Sequence, residues 1–458
     1  MSDYDAIVVG AGIAGLGVAT QLQQAGKRTL VLEMYPRAGG RMQSYELPGG
    51  YRVDIGLHMI EMGKKGYCHE LGTRVGVEIE WAAVSSTLDL YEGGAWHDMQ
   101  TFIKLTDEEK SHFIEVMKDI VTMGEGDFGA WDNRSFAEWL DKAGMAGNLR
   151  EVWENMSMIM TTIPDTREQS AGECLHIARE ALIKGRAVLI AAYPRGGMGG
   201  VIGPLADAFR NMGGRLEVGA PVEQVVFEGS KAVGVKVARK GASPIAREWR
   251  FTSTDLVTAP LVVLALPVWH LDKVLDFDRR YSPLPGWWLK RIEDIRGERT
   301  ALLGYIIGTT RPLYERAVFM SALRSTRTKL PFQAFSPTAF DPGVAPPGHY
   351  LLVTDNVAEP EEVEDKFNLG RLMELHWEDI KEMYGFAGEE VDFALPYFTA
   401  GCDGLARKPG LTGDFKPDVQ APGIGGLYFA GDTYLGRGLA VEGASRSAIL
   451  CVERILGS

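Results

Sequence analysis

The segment Gly10-Ala11-Gly12-Ile13-Ala14-Gly15, directly behind the apolar run Ala6-Ile7-Val8-Val9, leaves this chain few folds to choose from. A continuous apolar run of that length suits a strand buried on both faces of a parallel sheet. Gly10 permits a tight turn, Gly12 lets backbone approach a diphosphate with no Cβ in the way, and Gly15 lets the next helix pack close to the strand. The amides from Ile13 and Ala14 onward then form a helix N-terminus, which is an anion site. Leu16, Val18, Ala19 and Leu22 continue an apolar face until Gly26, and Arg28 to Leu32 reads as the second strand. Glu33 closes that strand at the offset where such units hydrogen-bond a ribose 2′-hydroxyl, and an acid there disfavours a 2′-phosphate. The expected ligand is FAD or NAD, not NADP.

At 458 residues the chain is longer than one simple core requires and suits two joined domains. Its formal net charge of -13 argues against a nucleic-acid partner, which needs a basic face to displace counterions. Cys68, Cys174, Cys402 and Cys451 show no paired spacing, so neither a metal site nor a disulfide framework is indicated. The N-terminus carries acids where a signal peptide would be basic, and no apolar stretch reaches the roughly eighteen residues of a membrane span. A cytoplasmic protein is expected. Peripheral membrane contact and homo-oligomer formation are left open.

The expected fold class is α/β: a Rossmann-like dinucleotide domain assembled from discontinuous segments, plus a substrate domain of mixed sheet and helices. Residues 1–70, 195–270 and 395–458 are assigned to the first; residues 71–194 and 271–394 to the second. In the first domain a helix is expected over 201–211, an alternating segment over 215–226, strands over 231–239 and 248–252, a buried strand 261–266 stopped by Pro267, and a C-terminal helix over 441–456. In the second, 71–194 reads as mostly helical. Strands at 301–308 and 350–355 and a helix over 363–384 follow in the later segment.

Four motifs occur in order: the opening turn; Arg37-Ala38-Gly39-Gly40-Arg41 with Asp54-Ile55-Gly56-Leu57-His58; Pro194-Arg195-Gly196-Gly197-Met198-Gly199; and Leu427-Tyr428-Phe429-Ala430-Gly431-Asp432. With them the chain resembles the FAD-dependent amine oxidase and phytoene desaturase superfamily, closer to the phytoene desaturase and retinol saturase branch. The resemblance implies FAD. Gly39 and Gly40 would pass the linking chain, Arg41 would neutralise the diphosphate, and Leu57 would lie where the chain passes the flavin. Val222 would pair with the adenine through its backbone. Gly431 and Asp432 would hold ribityl or phosphate oxygens, and Val441 would open a helix whose amides face flavin O2.

The resemblance also implies an oxidoreductase, a dehydrogenase or oxidase that introduces a C–C double bond into a hydrophobic or alicyclic substrate, with oxygen or a quinone as electron acceptor. Three other functions remain open on this fold: a flavin amine oxidase, a redox-neutral isomerase or hydratase, and a non-enzymatic prenyl-binding carrier. Amine oxidases use a lysine on the strand that here spans residues 300–307, and no lysine occurs there. Their cage tyrosine before the C-terminal helix is replaced by Ala440. Cys402 lies near a covalent attachment position, but Ala400-Gly401-Cys402-Asp403 matches that motif poorly, so a small buried thiol is expected.

His58 is the first catalytic candidate, as a base that removes a proton adjacent to a carbonyl or as a group that orients substrate through a hydrogen bond, the alternative being a histidine satisfied by packing and backbone. Tyr434 and Arg437 follow the Gly-Asp motif, where a phenol can donate to an enolate and a guanidinium can grip a carboxylate or carbonyl. Trp287, Trp288, Tyr305 and Tyr397 are candidate pocket walls.

Overall fold

Three stretches of chain far apart in sequence build one parallel sheet. A computed structural model, which describes residues 2–56, 58–187, 190–240 and 251–457, orders its strands Arg215–Val218, Thr29–Glu33, Ala6–Val9, Leu261–Leu264, Leu427–Phe429. Val8 lies beside Val31 on one side and Val263 on the other. The period-2 alternation of these strands divides their side chains between two cores. Val8, Val31 and Val263 pack under helices Ile13–Gln24, Gly199–Asn211 and Ala440–Leu456. Ile7, Val9, Leu32 and Leu264 pack instead with Val235 and Val237 of an antiparallel sheet and with Trp288 and Ile292 of helix Gly286–Ile295.

The segment expected to alternate from 215 to 226 is two strands in two sheets. Arg215–Val218 ends the parallel sheet, and Val222–Glu228 begins the antiparallel one with Lys231–Lys240 and Phe251–Thr258. The break falls at Gly219-Ala220-Pro221, where Gly219 turns the chain at φ 64 and Pro221 has no N–H to give a ladder. Residues 248–250 of the expected strand lie outside the described residues.

The second layer is a seven-stranded sheet ordered Val391–Thr399, Ala301–Thr309, Tyr350–Ala358, Phe332–Phe335, Phe319–Ala322, Leu88–Glu92, Ala95–Asp98. One face is covered by helix Lys366–Tyr384 through Ile307, Leu352 and Ile380. The other turns toward the parallel-sheet domain, with Ile306, Val353 and Tyr397 in one core with Tyr193 and Met198. Farther along that face Leu302 and Val357 join Met156, Met160, Leu439 and Ala440. The segment 71–194 supplies helices Asp107–Thr122, Gly147–Thr161 and Ala171–Gly185, and also the strands Leu88–Glu92 and Ala95–Asp98 of this sheet. The single helix expected over 363–384 is two, because Asp365 caps the longer one by accepting from the amides of Phe367 and Asn368.

Candidate active site

The glycines of the opening turn divide into those the fold needs and one it does not. A Cβ on Gly15 would lie 1.9 Å from the Gly10 carbonyl oxygen, so only glycine lets the helix lie on its strand. Gly10 itself has φ 101. A Cβ on Gly12, by contrast, would meet nothing of the protein closer than the Gly39 carbonyl at 3.9 Å. Gly12 is the N-cap of the helix opened by Ile13 and Ala14, which has neither a capping side chain nor an acid in its first turn. The protein thus leaves both the space and the N-terminal donors of this helix to another group.

Around that cradle the other expected cofactor residues gather. The buried Glu33 carboxylate accepts from the Ala11 amide at 2.8 Å and the Tyr35 amide at 2.9 Å. The Gly219 and Ala220 amides donate to the Tyr35 and Glu33 carbonyls, bringing Val222 to the end of the Glu33 strand. Gly39 donates to the Ala11 carbonyl, and Gly39 and Gly40 adopt φ 130 and 56. Arg41 donates to Asp432 at 2.6 Å and to the Cys402 carbonyl at 2.9 Å, with 37% of its side chain exposed. Gly431 turns at φ 142, Asp432 is buried, and Val441 is the second residue of the C-terminal helix. Leu57 lies outside the described residues. An open glycine cradle at a helix N-terminus, an acid at the strand end and a half-open arginine fit an adenine dinucleotide.

The Asp54 and Pro194 motifs are two halves of one joint. Asp54 accepts from the Met198 amide at 2.9 Å and the Tyr193 hydroxyl at 3.0 Å, and a Cβ on Gly197 would strike its carboxylate at 2.7 Å. Burial pushes the Asp54 carboxyl up to about 6 against those donors.

Two expected catalytic residues are spent on structure. Tyr434 is fully buried, stacked on Phe429 with ring centroids 5.1 Å apart, and donates to the Leu266 carbonyl at 2.7 Å. Its phenol faces the core beneath the parallel sheet, not a substrate. Arg437 grips Asp132 through two bonds of 2.8 and 2.7 Å, donates to Glu125 at 2.9 Å and lies 3.7 Å from Glu173. Its fork has no face left for a substrate carboxylate. Glu173 also accepts from the Gly438 amide; burial pushes its carboxyl up, but Lys416, His176 and Arg437 outweigh this and hold it down to about 2. Lys416 donates to the Asp432 and Gly436 carbonyls, fixing the loop from behind.

His58 is held differently. Its ring is buried, Nε2 lies 3.1 Å from the Tyr397 hydroxyl oxygen, and that hydroxyl bonds the Asp355 carboxylate. Asp355 and Tyr397 both pair with Gly304, so the three strands bring them together across one face of the sheet. Burial alone holds the imidazole down to about 3, so it is neutral. Burial pushes Asp355 up to about 7, opposed by the Tyr397 bond. With Asp355 ionised, Tyr397 donates to it and His58 Nε2–H donates to Tyr397, which leaves a lone pair on Nδ1; this tautomer follows from the hydrogen-bond order. Among the described residues Nδ1 has no hydrogen-bond partner.

Of the four candidate wall aromatics, Tyr397 alone meets a catalytic candidate. Trp288 stacks on Phe429, Trp287 is exposed, and Tyr305 leans on Trp377. Asp355, Asp132, Glu173 and Lys416 were missed because no local pattern marks them. Cys402 is a buried thiol 3.0 Å from the Thr300 hydroxyl, which fits the ordinary reading. Ala440, in place of a cage tyrosine, stands at φ 41, a strained conformation for a residue with a Cβ, at the mouth of the C-terminal helix. Glu442 turns away to accept from the Tyr67 and Cys68 amides. Among the described residues no group of His, Cys, Asp and Glu is arranged to hold a metal ion, and no helix is long and apolar enough to cross a membrane.

A family model described as flavin containing amine oxidoreductase matches residues 13–456. All-trans-retinol 13,14-reductase of Danio rerio is 25% identical over 276 residues, covering 52% of this chain and 45% of that protein. The 15-cis-phytoene desaturase of Narcissus pseudonarcissus is 23% identical over 302 residues, covering 61% and 50%. The chain spans about half the length of these curated relatives. An oxidoreductase structure from Methanosarcina mazei superposes with a TM-score of 0.76 at 19% identity, over 99% of this chain and 100% of that one, which shows a shared fold.

Proposed function

The chain belongs to the flavin containing amine oxidoreductase family, whose cofactor here is FAD, and from that premise we propose a dehydrogenase or oxidase that introduces a C–C double bond into a hydrophobic or alicyclic substrate. Oxygen or a quinone takes the electrons. The observation that carries this reading is the sheet face turned toward the FAD domain. It presents Leu302, Gly304 and Ile306 where an amine oxidase carries a lysine, and it continues into the apolar cluster of Met156, Met160, Val357, Leu439 and Ala440. Such walls hold a C–H bond of an apolar substrate and exclude water.

Bound FAD supplies the two-electron acceptor. The residues then divide the remaining work. Arg41 and the amides at the N-terminus of helix Ile13–Gln24 bind the diphosphate, and Glu33 orients the ribose. His58, kept neutral by its burial, orients the substrate through a hydrogen bond at Nδ1, while Tyr397 and Asp355 fix the ring and its tautomer. Tyr434 and Arg437 position the loop behind Asp432.

Anaerobic bleaching of the flavin band near about 450 nm, screened over polyenes, cyclic ketones, acids and amines, tests the reading. Bleaching by the first three classes is expected. Bleaching by amines alone, or a colourless protein that stays colourless with added FAD, would contradict it.

A further inference from the structure

A cavity of about 630 Å³ opens between helices Asp107–Thr122 and Gly147–Thr161 and the segment 99–105, within the size range of small-molecule sites. Leu88, Ile103, Phe113 and Met156 form its apolar walls. These side chains belong or pack to the same cluster as Leu439 and Ala440, immediately ahead of Val441. The cavity thus borders the same apolar core that holds Leu439 and Ala440 at the start of the C-terminal helix. Its charged lining is Lys104, Lys110 and Arg186, with no acid, in a chain whose acids outnumber its bases 61 to 48. Among the described residues neither Lys104 nor Arg186 has a carboxylate partner, and Lys110 has an exposed one, Asp107, at 3.3 Å.

We infer that this groove is the binding channel for an amphipathic anion, an apolar body ending in one carboxylate or phosphate, held with its charged group at Lys104, Lys110 and Arg186. The inference rests on the proposed hydrophobic substrate and narrows its class. Burial of the body in the groove gives affinity, and the cationic rim selects the acid over its neutral counterpart at a place where the anion keeps part of its hydration. A carboxylate probe and a phosphate probe separate the two head groups.

The test measures binding, not turnover. The FAD-loaded protein is titrated with 11-(dansylamino)undecanoic acid, the corresponding undecyl phosphate and the neutral undecanol, following dansyl fluorescence. At least one acid should bind about tenfold tighter than the alcohol, with the advantage shrinking as salt is raised. Lys104→Gln with Arg186→Gln should remove that advantage and leave the alcohol affinity unchanged, which also reports an intact groove. If the double variant fails to fold, the acid-to-alcohol ratio of the unmodified protein and its salt dependence decide alone. Equal binding of acid and alcohol, or a preference that survives the double substitution, overturns the inference. Since no flavin is reduced in this experiment, a negative bleaching screen leaves its result untouched, and bleaching by neutral polyenes without acid binding would retain the function and discard the anion.

Discussion

Arg41 and Arg437 both flank the Gly431-Asp432 turn, and the fold uses them in opposite ways. Arg437 is 6% exposed and spends its fork on Asp132, Glu125 and Glu173, two of them buried, so it cross-links the helical layer to the loop behind the cofactor. Arg41 meets Asp432 and one carbonyl and keeps 37% of its side chain open. A guanidinium has five donors, and those of Arg41 are not exhausted. The difference separates an arginine that holds the protein together from one left waiting for an anion.

The strongest way to break this contrast is Arg437→Met. It strands Asp132 and Glu173 in the interior and should cost about 3–5 kcal/mol in urea-unfolding free energy. A loss below about 1 kcal/mol would mean that the cluster is not a cross-link.

The next probe is Asp355, a buried carboxyl bonded by the Tyr397 hydroxyl. Its folded pKa of about 7 lies above the unfolded value of about 3.9, so the native state holds the extra proton between them. Its contribution is present in full below about pH 4 and lost as pH rises through about 7, on the order of a few kcal/mol. His58, depressed to about 3, acts in the opposite direction as pH falls below about 6.5, so the comparison must be made against Asp355→Asn, which retains His58. Urea midpoints at pH 4, 5.5, 7 and 8 should show the unmodified protein losing stability relative to this variant as pH rises.

Smaller effects sharpen the same division. Gly15→Ala forces a backbone clash and should destabilise by about 1–3 kcal/mol, whereas Gly12→Ala should leave thermal stability of the apoprotein within about 1 kcal/mol and weaken FAD about tenfold. Calorimetry and FAD titration check the pair together. Arg41→Lys keeps the charge but loses the fork, and should weaken FAD by about 1.4 kcal/mol with little change in apoprotein melting.

What was legible in the sequence was local. The strand, glycine turn, helix and Glu33 lie within one βαβ unit, and each residue's reason for being there is its neighbour. The joint between Asp54 and Gly197 was not legible, although both motifs were, because the contact spans 143 residues of chain. The His58 network depends on strand register: Asp355 and Tyr397 share a partner, Gly304, that no spacing in the sequence relates to them. Arg437 was misread for the same reason. Its partner Asp132 sits in the turn between helices Glu125–Gly129 and Phe136–Lys142, Glu173 sits in the first turn of helix Ala171–Gly185, and the fold buries both against the loop. Tyr434 follows the Gly-Asp motif closely enough to suggest the cofactor's reactive end, but stacking on Phe429 takes it into the opposite core.

The proposed reaction takes two hydrogens from adjacent carbons of the substrate and leaves a C=C bond between them. Anaerobic single turnover, with mass analysis of the product beside the flavin spectrum, tests it most directly. One product molecule, lighter by two hydrogens and carrying one new C=C bond, is expected for each FAD bleached. A product isomeric with the substrate and no net bleaching, or ammonia and a carbonyl compound formed from an amine, would contradict it.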